Sequence, residues 1–171
     1  FRRVLFRSSL QMLLRNKLPT TPSGVVLTSP LLGFPELTGM QRLLAGLAPI
    51  LAKLVPSFPV SHGLSPDSLS HDEQYLARRF EDPLIKKVAT PQWFEATKQS
   101  VSLLAGEAEK LQNMSPTLLM LAGKEKITNL NDARSFAFRA YTGQTHKVIE
   151  FPSAYHELEK EPEIRGRVVS E

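Results

Sequence analysis

Three short apolar runs constrain the fold of this 171-residue chain more than any other feature of its sequence. They are Gly24–Ser29, Pro116–Ala122 and Lys147–Phe151, and each is bounded by a glycine or a proline. The first two runs are typical of strands buried on both faces, and the third is a β-branched run that also predicts a strand. Stretches with helical spacing separate them, and strands that alternate with helices indicate a parallel sheet with right-handed crossovers. The sequence therefore predicts an α/β fold built on a small parallel sheet.

Helix signals lie before, between and after these strands. Thr90-Pro91 is a typical start, because the threonine can cap the helix and a proline at the first position gives up no hydrogen bond. Within residues 30–90, apolar side chains recur every three or four positions from Met40 to Leu54, and Pro49 is expected to bend that helix. The other predicted helices are Leu10–Leu18, Asp72–Phe80, one capped by Asn129 or Asn131, and Glu157–Val168.

Charge and composition exclude several classes of protein. The chain has 21 Lys and Arg against 17 Asp and Glu, a net charge of +4, and three of those arginines lie among its first seven residues. Basic residues elsewhere are interleaved with acids, so we expect no nucleic-acid binding. No apolar run approaches the roughly 20 residues that span a bilayer. Cysteine is absent, which excludes disulfides and thiolate metal sites and fits a reducing compartment, so we expect a cytoplasmic location.

A sheet of only three strands leaves an apolar edge that needs a cover. The first predicted strand, Gly24–Ser29, would expose one side to solvent unless a further strand paired with it. No internal repeat or low-complexity tract indicates another organisation. We therefore expect residues 1–171 to be a single partial domain, the C-terminal portion of a larger α/β domain.

The loop after the last predicted strand carries a histidine of chemical interest. The strand ends at Phe151-Pro152, and His156 follows on a short loop. A histidine after a late strand is where α/β folds can carry the general base of a Ser–Asp/Glu–His triad. The alternative is a loop histidine that only bonds a neighbouring carboxylate, such as Glu157 or Glu159. We expect no metal site, because metal-ligand spacing is lacking among the other histidines, which are His62, His71 and His146.

Several further landmarks follow one another in a fixed order: Gly24–Pro30, Gly63–Pro66, Leu69–Asp72, Asp82–Leu84, Thr90–Phe94 and Phe151–Leu158. Together they resemble the α/β-hydrolases of the monoacylglycerol lipase and lysophospholipase type, the serine aminopeptidase-like group. The resemblance implies the C-terminal part of an α/β-hydrolase fold with a helical cap insertion. Residues 33–90 would form the cap, and residues 115–171 would form the sheet region that carries the acid and histidine loops.

The resemblance places the acid of the triad in the loop after the penultimate strand. The pattern of the group is Gly-x-x-Asp-x-Ile/Val, and Ala122-Gly-Lys-Glu-Lys-Ile127 puts Glu125 at the acid position. Glutamate is a departure, but a carboxylate one methylene longer can still hold imidazole Nδ1–H. The alternatives are that Glu125 is a solvated charge between two lysines, or that Asp132 is the acid. We expect Glu125 to lie within hydrogen-bond reach of His156.

A recognisable nucleophile is missing. A nucleophile elbow reads Gly-x-Ser-x-Gly, since small residues must flank a strained turn, and no two glycines of this chain bracket a serine in that way. The resemblance would put the elbow at or just before residue 5, where Val4–Ser8 stands instead. Because translation of a common sequencing adapter yields that pentapeptide, we interpret residues 1–8 as a non-native leader and expect the chain as given to be inactive. The alternative is a divergent native N-terminus in a non-catalytic protein. Ser8 and Ser9 have no flanking glycine, so neither fits the elbow pattern.

The function that the resemblance implies is hydrolysis of carboxylic esters of lipid-like substrates, lysophospholipids or monoacylglycerols, without metal or cofactor. A non-catalytic binding module that uses the cap as a docking surface stays open, as does other cofactor-free chemistry on the same fold. The cap would carry specificity and any peripheral contact with a membrane, and its apolar side chains would either line an acyl-chain tunnel or pack the cap onto the core. The residues assigned to the substrate site are Met40, Leu43, Leu44, Leu47 and Leu51.

Overall fold

The computed structural model describes residues 6–15, 20–37, 39–112, 114–143 and 145–170, with the backbone alone for residues 6–9. Strands and helices alternate along this part of the chain, and the elements include the three predicted strands and two short strands between residues 60 and 89 that were not predicted. In chain order the elements are α1 (Phe6–Leu14), β1 (Val25–Thr28), α2 (Gly39–Leu54), β2 (Val60–Ser61), α3 (Glu73–Glu81), β3 (Val88–Ala89), α4 (Pro91–Gly106), β4 (Thr117–Ala122), α5 (Leu130–Ala140), β5 (His146–Phe151) and α6 (Arg165–Ser170).

Three of the strands form the predicted parallel sheet, in the order β1-β4-β5. Strand β4 lies in the middle, where Thr117 is in register with Val25 of β1 and with His146 of β5. All of β4 except Leu118 is buried, because helices cover both faces of the sheet and leave a central parallel strand no contact with water. Val26 of β1 is 49% exposed, and no strand of the described residues pairs with the outer edge of β1.

Alternate residues of β4 point into two separate hydrophobic cores. Leu119 and Leu121 belong to the larger core, together with side chains of α1, β1, α4 and α5. Met120 and Ala122 belong to the smaller core, together with side chains of β5, the loop after it and α6. Because successive side chains of a strand point to opposite faces, α1, α4 and α5 lie on one face of the sheet and α6 lies on the other.

The segment between β1 and α4 contains α2, α3 and the pair β2–β3, and neither of these two strands joins the parallel sheet. Helix α2 runs unbroken through Pro49 and packs against α4, while β2 and β3 pair antiparallel. Asp72 caps α3 by accepting a hydrogen bond from the Tyr75 amide, and Thr90 caps α4 in the same way through the Trp93 amide. These caps confirm the helix starts that were predicted at Asp72 and Thr90.

The last predicted helix, Glu157–Val168, is wrong as a continuous element. Residues Leu158–Lys160 form a single 3₁₀ turn, Glu161 is extended, and α6 begins only at Arg165. The cause is Pro162, since a proline disfavours the helical conformation of the residue before it. The break has a consequence for the loop before it, because the Glu161 carboxylate turns back and accepts a hydrogen bond from an amide of that loop.

The first helix differs in extent from its prediction. Helix α1 covers Phe6–Leu14 rather than Leu10–Leu18, and residues 16–18 lie outside the described part of the chain. Residues 1–5 of the predicted leader also lie outside it, and residues 6–8 form the first turn of α1, so the origin of the leader stays a prediction. None of the helices in the described residues is long and apolar enough to pass through a bilayer.

Gly123 allows the loops after β4 and β5 to touch. Its amide donates to the Phe151 carbonyl at 2.8 Å, and a Cβ atom at this position would lie 2.5 Å from Cα of Pro152. Replacing Gly123 by Ala should therefore lower the free energy of unfolding by about 2 kcal/mol, because a methyl group forced against backbone cannot be accommodated by a side-chain movement. Urea unfolding measures the change.

The matched control for that substitution is Gly46, which lies inside α2 with open space where a Cβ would be. Gly46→Ala should stabilise the chain by up to about 1 kcal/mol through helix propensity alone. Equal stabilities for Gly123→Ala and the native chain would contradict the prediction.

Candidate active site

Two loops at the carboxyl ends of β4 and β5 form the candidate site. The first carries Glu125 and the second carries His156. Besides the Gly123 bond, the Lys124 amide donates to the Ala154 carbonyl at 2.9 Å, so the two loops are joined through their backbones. Because β4 and β5 are parallel neighbours, both loops leave the sheet at the same edge. The topology thereby brings together side chains that are 31 positions apart in the sequence.

The Glu125 carboxylate contacts the imidazole ring of His156, as the sequence predicted. Oε2 of Glu125 lies 2.8 Å from Nδ1 of His156. Oε1 accepts hydrogen bonds from three successive amides, those of Lys126 at 2.9 Å, Ile127 at 2.7 Å and Thr128 at 3.2 Å. With a carboxylate as its partner, Nδ1 carries the proton, and Nε2 is the nitrogen left to exchange a proton with another group.

The surroundings of Glu125 favour its charged form. Its side chain is 3% exposed, and burial by itself would raise its pKa. The hydrogen bond and charge of His156, together with the amides of Ile127 and Thr128, outweigh burial, so the pKa of Glu125 lies below its ordinary value. A carboxylate that is ionised at neutral pH can both orient the ring and stabilise an imidazolium. A buried, bonded Glu125 is not the solvated charge of the alternative interpretation.

The rival acid and the other histidines lie elsewhere. Asp132 is in the first turn of α5, where its side chain sits against Gly33. Of the two asparagines predicted to cap this helix, Asn129 does so. Each remaining histidine has a partner of its own: His62 bonds the Lys86 carbonyl, His71 the Glu161 carboxylate and His146 the Gln112 carbonyl.

A cavity of about 830 Å³ opens beside His156. Its lining comes from the end of β1, from α2, from the β2–β3 pair, from the first turn of α4 and from the loops that carry Ile127 and His156. Most of these side chains are apolar, and the volume is that of a pocket for a small ligand. The histidine is therefore a polar group at the wall of a mainly apolar pocket.

The five apolar residues predicted to bind substrate separate into two groups. Leu44 and Leu51 line the cavity. Met40, Leu43 and Leu47 do not line it, and they are 67%, 57% and 40% exposed. Helical spacing identifies an apolar stripe but not the direction in which it points, which depends here on how α2 packs against α4.

The aromatic residues of the cavity, and the residue in its wall that has a strained backbone, were not predicted from the sequence. Trp93 and Phe94 line it, and Phe94 packs on Phe34 with ring centroids 5.2 Å apart. Two adjacent aromatic residues, three and four positions after the predicted N-cap Thr90, were the available signal. Ser29 also lines the cavity, buried at the end of β1 with φ of 41°, a left-handed conformation that is rare outside glycine and frequent at functional sites.

The lowered pKa of Glu125 makes a prediction for Glu125→Gln. A carboxyl group whose pKa is depressed by folding stabilises the folded chain above its unfolded pKa of about 4.3, and this contribution is lost as the pH falls through the folded pKa. The native chain should exceed Glu125→Gln in free energy of unfolding by about 2 kcal/mol at pH 7, and the difference should shrink below about pH 4. Urea unfolding at a series of pH values measures it.

Glu163→Gln is the matched control, because Glu163 is exposed and lies a few residues beyond the histidine loop. It should leave the free energy of unfolding unchanged near neutral pH. A difference between the native chain and Glu125→Gln that stays constant from neutral pH to about pH 3 would show that the ionised carboxylate is not its source.

Solved structures with the same fold include two monoacylglycerol lipases. The chain superposes on the monoacylglycerol lipase of Paleococcus ferrophilus with a TM-score of 0.81 and 25% identity, covering 96% of this chain and 63% of that one. It superposes on a soluble variant of monoglyceride lipase from Saccharomyces cerevisiae, solved with a substrate analogue, with a TM-score of 0.79 and 19% identity. That alignment covers 96% of this chain and 55% of the yeast protein. The fold is therefore that of the α/β-hydrolases, as the resemblance implied.

Sequence comparison leads to the same group. The chain is 25% identical over 146 residues to the monoacylglycerol lipase of Mycolicibacterium smegmatis, covering 85% of this chain and 50% of that protein. It is also 25% identical over 141 residues to phospholipase YtpA of Bacillus subtilis, covering 82% and 53%. The chain thus spans about half the length of the curated relatives it matches. The model of the family described as serine aminopeptidase, S33, matches residues 8–163, and this chain belongs to that family of α/β-hydrolases.

Proposed function

We propose that this chain supplies the acid and the base of a serine-type hydrolase that cleaves carboxylic esters of lipid-like molecules. One observation carries the proposal: a buried carboxylate holds Nδ1 of His156 at 2.8 Å, and the same histidine lines a mainly apolar cavity of about 830 Å³. A base that is oriented by an acid is part of the machinery of serine-type acyl transfer, and the apolar space beside it suits a lipid-like acyl group. Membership of the S33 family supports the same chemistry.

The proposed reaction is acyl transfer to water in two steps. Nε2 of His156 takes the proton of a serine hydroxyl as the serine oxygen attacks the ester carbonyl, and the histidine then gives that proton to the departing alcohol. In the second step water attacks the acyl-serine ester, and His156 takes its proton and returns it to the serine as the fatty acid leaves. Glu125 keeps the ring oriented and stabilises the imidazolium in both steps. Neither step uses a metal or a cofactor.

We assign the serine to a segment outside this sequence. No Gly-x-Ser-x-Gly elbow occurs in the 171 residues, and the oxyanion donors of such enzymes lie next to the serine and in an earlier loop. Among the described residues nothing pairs with the outer edge of β1, where Val26 is half exposed, and a further parallel strand would pair there. A strand at that position would end at the same sheet edge as Glu125 and His156.

We assign residues 33–90 to a cap over the cavity and residues 115–171 to the sheet region that carries the acid and the base. Support for the cap comes from Leu44 and Leu51 of α2, which line the same cavity as His156. A segment outside the parallel sheet that borders the base can select the substrate while the sheet region performs the chemistry.

The proposed substrate is a glycerolipid ester such as a monoacylglycerol or a lysophospholipid. An apolar pocket favours an acyl chain, because each methylene group removed from water contributes about 0.8 kcal/mol. One relative is named a monoacylglycerol lipase and another a phospholipase, and both names are consistent with such an ester. A non-catalytic binding module that uses the cap as a docking surface is the alternative, and the lack of the elbow pattern favours it.

The outward side of α2 is the surface that we propose to contact a membrane. Amphipathic helices of this kind lie in the lipid interface with their apolar face buried. Because the other side of α2 lines the cavity, such a contact would bring the cavity close to lipid substrates. The side chains concerned recur every three or four positions and are between 40% and 74% exposed: Met40, Leu43, Leu47, Ile50 and Leu54.

The proposed division of the triad predicts activity only in a joined protein. The 171-residue chain should not react with a fluorophosphonate probe and should not hydrolyse medium- or long-chain acyl esters, because it has no elbow serine. Joining it to the upstream half of its natural gene, with a Gly-x-Ser-x-Gly elbow, should give turnover. His156→Ala in the joined protein should lower kcat by about 10⁴-fold or more.

His62→Ala in the joined protein is the matched control, since His62 also lines the cavity but bonds a backbone carbonyl instead of a carboxylate. It should keep most of kcat. Stoichiometric labelling of the unjoined chain at Ser8 or Ser9 would show that a serine of this sequence is the nucleophile. A joined protein that binds lipid but is neither labelled nor active would favour the binding module.

The proposed membrane contact predicts that the chain floats with vesicles of phosphatidylcholine and phosphatidylglycerol. The double variant Leu43→Asp, Leu47→Asp should bind at least about tenfold more weakly, because burial of each leucine contributes about 2 kcal/mol. Leu103→Asp on α4 is the control, since Leu103 is 48% exposed and lies outside this stripe. Equal flotation of all three proteins would contradict a contact through α2.

A further inference from the structure

The loop that carries His156 depends on groups outside it. Its own hydrogen bonds lie at its two ends, from the Ala154 amide to the Phe151 carbonyl at 3.1 Å and from the Lys160 amide to the Glu157 carbonyl at 2.8 Å. Between them, the amides of Tyr155 and Glu157 donate to partners beyond the loop. The direction in which His156 points is therefore set from outside.

Glu161 provides the first of these outside contacts. Its side chain is 5% exposed, and Oε1 accepts a hydrogen bond from the Tyr155 amide at 3.1 Å. The same oxygen accepts from the amide of His71 at 3.3 Å, and Oε2 lies 2.8 Å from Nδ1 of His71. One buried carboxylate thus ties the residue before His156 to the segment that leads into α3.

The ring of Tyr155 is held between two further groups. His71 stacks on it with ring centroids 3.8 Å apart and an angle of 15° between the planes. The ammonium group of Lys126, the residue after Glu125, lies 4.4 Å from the centroid of the same ring. Tyr155 therefore contacts both the acid loop and the segment before α3.

Glu157, on the other side of His156, is held by α3 and by the segment that leads into it. The Glu157 amide donates to the Leu69 carbonyl at 2.8 Å. The Glu157 carboxylate accepts a hydrogen bond from the Tyr75 hydroxyl and forms an ion pair with Arg79 at 3.4 Å. Residues 69–79, which we call the brace segment, thus hold both sequence neighbours of His156.

We propose that Glu161 is a positioning residue for His156 and that, through His71, it makes the orientation of the base depend on the brace segment. Residues 69–79 lie within the part assigned to the cap, so displacement of the cap would release the base from its alignment with Glu125. That the aligned group is a catalytic base rests on the proposed function, whereas the alignment itself can be measured on this chain alone.

The experiment measures the Nδ1 proton of His156 by NMR in the ¹⁵N-labelled chain. In the native chain this proton should give a downfield resonance that exchanges slowly with water, because Glu125 holds it at 2.8 Å. Glu161→Ala should raise the exchange rate by about tenfold, which is the effect of losing one hydrogen bond that keeps the loop closed. Glu161→Gln should restore slow exchange, since its amide oxygen can still accept from the Tyr155 and His71 amides.

Glu163→Ala is the matched control, because Glu163 is an exposed carboxylate on the far side of Pro162. It should leave the resonance and its exchange unchanged. A folded Glu161→Ala chain with the native resonance and exchange rate would overturn the proposal, as would an equal change in Glu163→Ala.

His71→Ala covers the case in which Glu161→Ala does not fold. It removes the imidazole contacts to Glu161 and Tyr155 but keeps the Asp72 cap of α3, and it should raise the exchange rate by about threefold or more. A folded His71→Ala chain with native exchange would overturn the coupling to the brace segment.

The two proposals fail in different ways. None of these measurements needs a serine or a substrate, so an inactive joined protein would contradict the proposed function and leave the positioning result unaffected. In an active joined protein, Glu161→Ala should lower kcat with little change in KM, because it disturbs the base and not the cavity lining. A rise in KM with an unchanged kcat would contradict the positioning role.

Discussion

The carboxylate of Glu125 is the interaction on which the rest of the site depends. One of its oxygens accepts hydrogen bonds from three backbone amides of its own loop, and the other lies against Nδ1 of the His156 ring. Burial alone would favour the neutral acid, so the charge persists because the hydrogen bond and charge of His156 and the amides of Ile127 and Thr128 outweigh burial. The same contacts therefore shape the acid loop, fix the tautomer of the histidine and keep the carboxylate ionised.

The pair can form because the sheet delivers both loops to one place. Parallel neighbours β4 and β5 end at the same edge, and the lack of a side chain at Gly123 lets the loops meet at backbone distance. Pro162 then ends the 3₁₀ turn after His156 and leaves Glu161 extended, with its carboxylate directed back at the loop. Gly123 and Pro162 have no reactive side chain, yet they determine the positions of Glu125, His156 and Glu161.

The apolar residues of helix α2 divide between two environments, the cavity and the outer surface. Leu44 and Leu51 border the cavity, while Met40, Leu43 and Leu47 face outward. The helix itself was predictable, because its period is a local property of the sequence. Its rotation about its own axis was not, because that angle follows from packing against α4, a partner more than thirty positions further along the chain. For this reason only two of the five residues that were predicted to bind substrate line the cavity.

The resemblance to a family supplied the expected pairing of Glu125 with His156, whereas the sequence by itself determined the local elements: the three strands and the capped starts at Asp72 and Thr90. These depend on propensity, capping and strand direction, which neighbouring residues encode. Only the tertiary structure decided the break at Pro162, the cavity lining and the contacts that Glu161 and α3 make with the histidine loop. Those contacts join side chains as many as 90 residues apart, and no local pattern records such a distance.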